Sequence, residues 1–184
     1  MKICSTKKIT DYTYLNLVST QYKDRNETDK NWIYASRGNT NRPDAVVVVP
    51  YHTEEDKLVL IKEFRVPLAG VQYGFPAGLV DAGESIAKAG ERELYEETGL
   101  SVGKVLRESP PIFSSSGMTD ESISLLYVEC KGIPCTDHNQ GSEQIEVILV
   151  SKQDAMELIA RTDLLFDVKT WIVLDRFAAT GQVL

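Results

Sequence analysis

The sequence is short of several things, and each shortage removes a class of protein. Only three cysteines occur in 184 residues, Cys4, Cys130 and Cys135, and none forms a CxxC pair. Such a sparse, odd set gives no disulfide framework and suits a reducing compartment; a Cys130–Cys135 redox pair is a minor reading. No apolar run is longer than Ala45–Val49, far short of the ~20 residues of a membrane-spanning helix. Residues 1–11 carry lysines but no apolar h-region, so they do not read as a secretory signal. Excess positive charge is also lacking. A net charge of −7 argues against a nucleic-acid backbone or an anionic membrane as the main partner. It leaves a phosphate ligand open, because a bound cation supplies positive charge locally. There is no internal repeat and no low-complexity tract. What remains reads as a soluble globular chain, with the cytoplasm as its expected location.

What the sequence does have is concentrated in Gly78–Leu100, GLVDAGESIAKAGERELYEETGL. It reads as a loop entering a short amphipathic helix. Ser85 is the expected N-cap and Gly99 the left-handed residue that ends the helix. Ile86, Ala89 and Leu94 are expected to face the core. Glu93, Glu96 and Glu97 stand at i, i+3 and i+4, which gathers three carboxylates on one face. Like charges at this spacing repel by a few tenths of a kcal/mol per pair. A solvated acidic face is the ordinary meaning of such a pattern, and a hard-cation site is the sharper one, since Mg²⁺ and Mn²⁺ prefer carboxylate oxygen. Gly90 is a local oddity, at about 1 kcal/mol against Ala in a helix interior.

The pattern resembles the signature of the Nudix hydrolases: Gly, five residues, Glu, seven residues, then Arg-Glu-apolar-any-Glu-Glu-any-Gly-apolar. Gly78, Glu84, Arg92, Glu93, Leu94, Glu96, Glu97, Gly99 and Leu100 fill every fixed position. Chance agreement at one site is roughly one in 10⁸. The resemblance implies a metal-binding loop–helix–loop that hydrolyses nucleoside diphosphates linked to another group. Glu93, Glu96 and Glu97 are then expected as ligands of Mg²⁺, with Mn²⁺ as a substitute. Arg92 is expected to orient the acidic cluster with Glu84 as its partner.

Along the rest of the chain, residues 9–22 and Asn31–Arg37 read as two strands of an N-terminal hairpin, joined by the polar turn Lys23–Lys30. The loop Gly38–Pro43 is the best boundary, dividing an arm, 1–42, from a main domain, 43–184. Asp44–Pro50 and Leu58–Phe64 read as strands covered on both faces. Leu106–Phe113, Ile123–Glu129 and Ile145–Val150 are further strands. Ser151–Arg161 and Asp167–Ala179 carry helical periodicity, with Ser151 and Asp167 as N-caps and Trp171, Leu174 and Phe177 as a core stripe. The expected class is α/β, and the resemblance supplies its form: an α/β/α sandwich with a mixed sheet, plus the N-terminal β-hairpin arm.

The flanks sharpen the resemblance. Glu63-Phe64-Arg65-Val66-Pro67, Phe75-Pro76-Ala77-Gly78, and Trp32 with Arg37 are similar to the ADP-ribose and nucleoside-diphosphate-sugar pyrophosphatases, over most of the chain. That subfamily implies a homodimer exchanging its N-terminal strands, and a nucleotide-sugar substrate cut to a nucleoside monophosphate and a sugar phosphate. Trp32 is expected to stack on the base, with Tyr14 on the preceding strand as a second aromatic. Arg37 and Arg65 are expected on base or phosphates, where a guanidinium offers a fork of donors. The Ala77 carbonyl would complete the metal site, as a hard ligand. Glu143 is the expected general base, with Glu121 and Glu97 as rivals. The loop Ser115-Ser116-Gly117 carries serine where the subfamily commonly has proline, which leaves room for a broader nucleotide-sugar hydrolase. Two other readings stand beside this one: a nucleoside-triphosphate housecleaning hydrolase, and a nucleotide-sensing domain without catalysis.

Overall fold

A computed structural model describes residues 1–38, 43–139 and 144–184. The chain divides into two compact units: Met1–Ala45 with Pro111–Ile123, and Val46–Pro110 with Ser124–Leu184.

The first unit is built on an antiparallel sheet of three strands, β1 (Lys2–Lys8), β2 (Asn16–Lys23) and β3 (Asp29–Ser36), in that order. The expected hairpin is β2 and β3. The added strand β1 was not legible, because KICSTKK has no apolar alternation and all its residues are exposed. Residues 9–15, expected as strand, instead form a loop tied by Asn16. Its side chain accepts from the Tyr12 N–H at 2.7 Å and donates to the Tyr12 carbonyl at 2.8 Å. The β2–β3 turn is fixed by Asp24, whose carboxylate accepts from the N–H groups of Asn26 and Thr28. That turn sets the register, with Thr20 opposite Trp32 and Val18 opposite Tyr34. Side chains alternate across a strand, so Val18, Thr20, Tyr22, Trp32 and Tyr34 share one face. Pro111–Ile123 completes the unit and contributes β9 (Ile112–Phe113), antiparallel to Ser122 and Ile123.

The second unit holds a mixed sheet flanked by helices. Its strands are β4 (Ala45–His52), β5 (Lys57–Arg65), β6 (Gly70–Gly74), β7 (Ala77–Leu79), β8 (Ser101–Glu108), β10 (Ser122–Lys131), β11 (Ile145–Val150) and β12 (Leu165–Phe166). The order is β12-β6-β5-β4-β10-β8, with β11 on β5 and β7 on β4. The strand expected over residues 106–113 is split: β8 ends before Pro110-Pro111, which supply no N–H to a ladder. The helices are α1 (Ile86–Thr98), α2 (Lys152–Ile159) and α3 (Val168–Thr180), capped by Ser85, Ser151 and Asp167.

Strand β4 shows why there are helices on both sides. Val46, Val47, Val48 and Val49 are all at most 4% exposed, so both of its faces are covered. Val46 and Val48 pack in a cluster with Val59, Leu126 and Val128 of the sheet and Ala89 and Leu94 of α1. Tyr51, of the opposite parity, meets Phe177 of α3 with ring centroids 6.3 Å apart. Burying each such side chain contributes about 1.5–3 kcal/mol. Gly90 is explained here. A Cβ on it would lie 2.4 Å from Leu126 Cδ2 and 3.3 Å from Val48 Cγ2, so the helix can sit this close to the sheet only without a side chain there. The stripe expected on α3 is partly corrected. Leu174 and Phe177 are buried, but Trp171 is 44% exposed, and the buried set is Thr170, Val173, Leu174, Phe177 and Ala178. A spacing of three drifts off a 3.6-residue repeat, and Trp171 falls on the outer face.

Candidate functional site

The candidate site in the second unit is built on α1. Ser85 accepts from the Lys88 N–H, and at the other end Gly99, at φ 70°, donates to the Tyr95 carbonyl. These caps fix the rotation of the helix, which sets where its carboxylates emerge. Glu93 and Glu97 are only 9% and 6% exposed, while Glu96 is half-buried. Arg92 gathers the acidic side chains. It forks onto Glu84, with Nε 3.3 Å from Oε1 and Nη2 3.0 Å from Oε2. Nη1 donates to Glu93 at 2.6 Å and to Glu96 at 3.4 Å, and Nη2 also donates to the Leu79 carbonyl at 3.0 Å. The Arg92 hydrogen bonds hold the Glu84 carboxyl below its usual range. Glu84 and Glu93 in turn push the guanidinium above its own, so it stays charged at any working pH.

The loop before the helix closes on these groups. The Ala77 N–H donates to Glu97 Oε2 at 3.3 Å. At Gly78 a Cβ would fall 1.8 Å from Glu93 Oε1 and 2.4 Å from Oε2, so only glycine lets this backbone meet that carboxylate. Glu84, Glu93, Glu96 and Glu97 thus gather four carboxylates near one guanidinium in a partly buried place. Like charges this close call for a cation. The donor set, carboxylate oxygens beside exposed Ala77, has the hardness that a divalent cation favours. Among the described residues no three such side chains are already spaced around an empty ion position. Arg92 Nη1 bridges Glu93 and Glu96. Arg65, at the end of β5, donates from Nη1 to Glu63 at 2.8 Å. Glu143 lies outside the described residues.

In the first unit the segment Ser115–Glu121 docks along β3. The Ala35 N–H donates to the Met118 carbonyl at 2.8 Å, and the Asp120 N–H to the Ala35 carbonyl at 3.3 Å. The Trp32 indole N–H donates to the Gly117 carbonyl at 3.2 Å, Ser36 Oγ to Asp120 at 3.0 Å, and Arg37 Nε to Glu121 at 2.8 Å. Four residues singled out from sequence, Trp32, Arg37, Gly117 and Glu121, are thus joined in pairs. Beside them is a cavity of about 470 Å³ whose lining includes Tyr22, Trp32, Tyr34, Phe113, Thr119 and Asp120. Tyr14 is not part of it. It lies in the β1–β2 loop, 73% exposed, and not on a strand as expected. The aromatics that line the cavity with Trp32 are Tyr22, Tyr34 and Phe113; the signal for the two tyrosines is the two-residue alternation with Thr20 and Trp32.

Comparison with known proteins identifies the architecture. The family described as NUDIX domain matches residues 41–169. An ADP-ribose pyrophosphatase of Saccharomyces cerevisiae is 37% identical over 129 residues, covering 67% of this chain and 55% of that protein. An ADP-ribose pyrophosphatase of Bacillus subtilis is 31% identical over 129 residues, covering 70% of this chain and 68% of its own. This chain therefore spans little more than half the length of the yeast relative it matches. The crystal structure of an ADP compounds hydrolase superposes with a TM-score of 0.77 at 21% identity, over 98% of this chain and 95% of the other, and so shares the fold. With the family match spanning most of its length and the acidic helix in place, the chain belongs to the NUDIX domain family.

Proposed function

We propose that the protein is a divalent-metal-dependent hydrolase that cleaves the diphosphate of a nucleoside diphosphate sugar, ADP-ribose or a relative. The products are a nucleoside monophosphate and a sugar phosphate. The observation that carries this is the acidic end of α1, with Glu93 and Glu97 buried against Ala77 and Gly78 and one arginine binding the cluster. Nudix hydrolases generally use divalent metal ions, and Mg²⁺, with Mn²⁺ as substitute, suits this oxygen set. Such an ion supplies charge neutralisation at the phosphoryl oxygens and lowers the pKa of a bound water.

The chain's own residues divide the remaining work. Glu93, Glu96, Glu97 and the Ala77 carbonyl hold the ion. Arg92 keeps the carboxylates in register through its fork on Glu84. Glu143 takes the proton of the attacking water, with Glu97 and Glu121 as alternative bases, for a gain of roughly 10²–10⁴. Trp32, with Tyr22 and Tyr34 beside it, offers a flat apolar surface for a base. Gly117 presents its carbonyl to the Trp32 indole and so holds that ring. Arg37 and Arg65 exchange carboxylate partners for phosphate. Tyr14, exposed on its loop, contributes only where another chain covers it.

We place the functional division near residue 42, between an arm and the hydrolase domain, and assign the arm to dimer formation. Its exposed Ile3, Leu17, Trp32 and Ile33 favour a second copy. Among the described residues no helix is long and apolar enough to cross a membrane, and we take the cytoplasm as the site of action.

The test is a phosphate-release screen, coupled to a phosphatase, with Mg²⁺ and then Mn²⁺. The panel is ADP-ribose, ADP-glucose, GDP-mannose, UDP-glucose and a set of deoxynucleoside triphosphates. Turnover of one or more diphosphate sugars supports the proposal. Activity confined to triphosphates replaces it with the housecleaning reading, and tight binding without turnover replaces it with the sensing one.

A further inference from the structure

The second unit contains a feature that the acidic cluster does not account for. The segment Gly132–Asn139 crosses the C-terminal end of α1 and is fixed at three points. The first is His52, 2% exposed, whose Nε2–H donates to the Gly132 carbonyl at 2.8 Å while Nδ1 accepts from the Glu55 N–H at 3.3 Å. The second is the Cys135 N–H, which donates to the Thr98 carbonyl at 2.9 Å. That carbonyl is among those a helix end leaves without an intrahelical partner. Gly99 makes the approach possible, since a Cβ there would lie 2.5 Å from Cys135 Sγ and 3.1 Å from its nitrogen. The third is His138, whose ring stacks on Tyr95 with centroids 4.6 Å apart and planes at 23°.

Tyr95 and Thr98 bracket Glu96 and Glu97. Two of the three fixing points therefore grip the turn that carries those carboxylates. The turn needs an external hold. It is the negative end of the helix dipole, which disfavours acidic side chains, and last turns fray.

We propose that Gly132–Asn139 is a positioning strap for Glu96 and Glu97, and that His138 acts through Tyr95 to hold the last turn of α1 in its cation-binding arrangement. The proposal rests on the reading of α1 as the metal-bearing helix. His138 serves as a flat ring, so another flat ring should replace it.

The test is Mn²⁺ affinity of the full chain, followed by the electron paramagnetic resonance of free Mn²⁺, for wild type, His138→Ala and His138→Phe. Loss of the stack should raise the Mn²⁺ Kd about three- to tenfold in His138→Ala, and His138→Phe should restore it. His138 is exposed, so both variants should fold, with His138→Ala lowering the melting temperature by no more than a few degrees. Equal Mn²⁺ affinity in wild type and His138→Ala overturns the strap. Equal weakening in both variants overturns the stacking role. A wild type that binds no Mn²⁺ overturns the metal-helix reading itself, and the strap with it.

Discussion

The two units solve the problem of holding a strand in opposite ways. In β4 every residue from Val46 to Pro50 is buried, and the strand is held by apolar packing on both faces. In β1 every residue is exposed, and the strand is held by its ladder and by polar pairs such as Ser5 with Gln21 and Thr6 with Thr20. Packing of the first kind fixes side chains to within a methyl group, which suits a site where carboxylates must converge. A half-covered sheet of the second kind is cheaper to rearrange, and suits a surface that receives a ligand or another chain.

The contrast between the two units makes definite demands on variants. The largest effect is expected in the packed unit. Glu97→Gln should lower kcat by two orders of magnitude or more with the fold intact, measured by turnover and circular dichroism. A near-wild-type kcat would remove Glu97 from the ion site. Paired glycine substitutions come next. Gly78→Ala drives a Cβ into the Glu93 carboxylate, whereas a Cβ at Gly117 meets nothing within 4 Å. Gly78→Ala should therefore weaken Mn²⁺ binding strongly, and Gly117→Ala should leave the melting temperature unchanged. Truncations follow: Leu126→Ala, in the core, should cost about 2–5 kcal/mol in denaturant unfolding, and Ile3→Ala, on β1, about 0.5 or less. Equal costs would mean that the first unit is as tightly packed as the second. Trp32→Ala should raise KM with kcat nearly unchanged, because the role proposed for Trp32 is a binding surface and the change leaves the acidic helix alone.

The smallest effect is a pH dependence confined to the packed unit. Burial pushes the Cys130 thiol up to about 12 from an ordinary 9.0. Burial, followed by the Asp56 carboxylate, pushes Tyr51 up to about 12 from 10.0. Both groups stay protonated in the fold longer than in the unfolded chain. Their contribution is full below pH 9 and is lost as pH rises from there to about 12. Melting temperature should fall over that window, and less steeply in Cys130→Ala. An unchanged slope would rule out Cys130 as a source.

What was legible in the sequence follows the range of the interactions. Ser85, Ser151, Asp167 and Gly99 were read correctly as caps, because capping involves residues three or four apart. The α/β class was legible because β4, β5 and α1 carry strong patterns. The partnership of Tyr22 and Tyr34 with Trp32 was legible only in part: the two-residue alternation is there, but the register that sets the strands opposite is fixed by the Asp24 turn between them. Strand β1 was missed because it buries nothing, and burial is what writes a pattern into sequence. Gly90 looked like a defect from its neighbours alone; its reason is Leu126, on another element.

The arm sheet also refuses partners. A three-stranded sheet has two open edges, and each is a template on which further chains can pair without limit. Here β3 is blocked by the protein's own residues 118–120, whose backbone bonds to Ala35. The other edge, β1, carries Lys2, Lys7 and Lys8 in seven residues. Stacking a second β1 there would bring like charges together. The same exposed sheet is thereby guarded against fibrous growth.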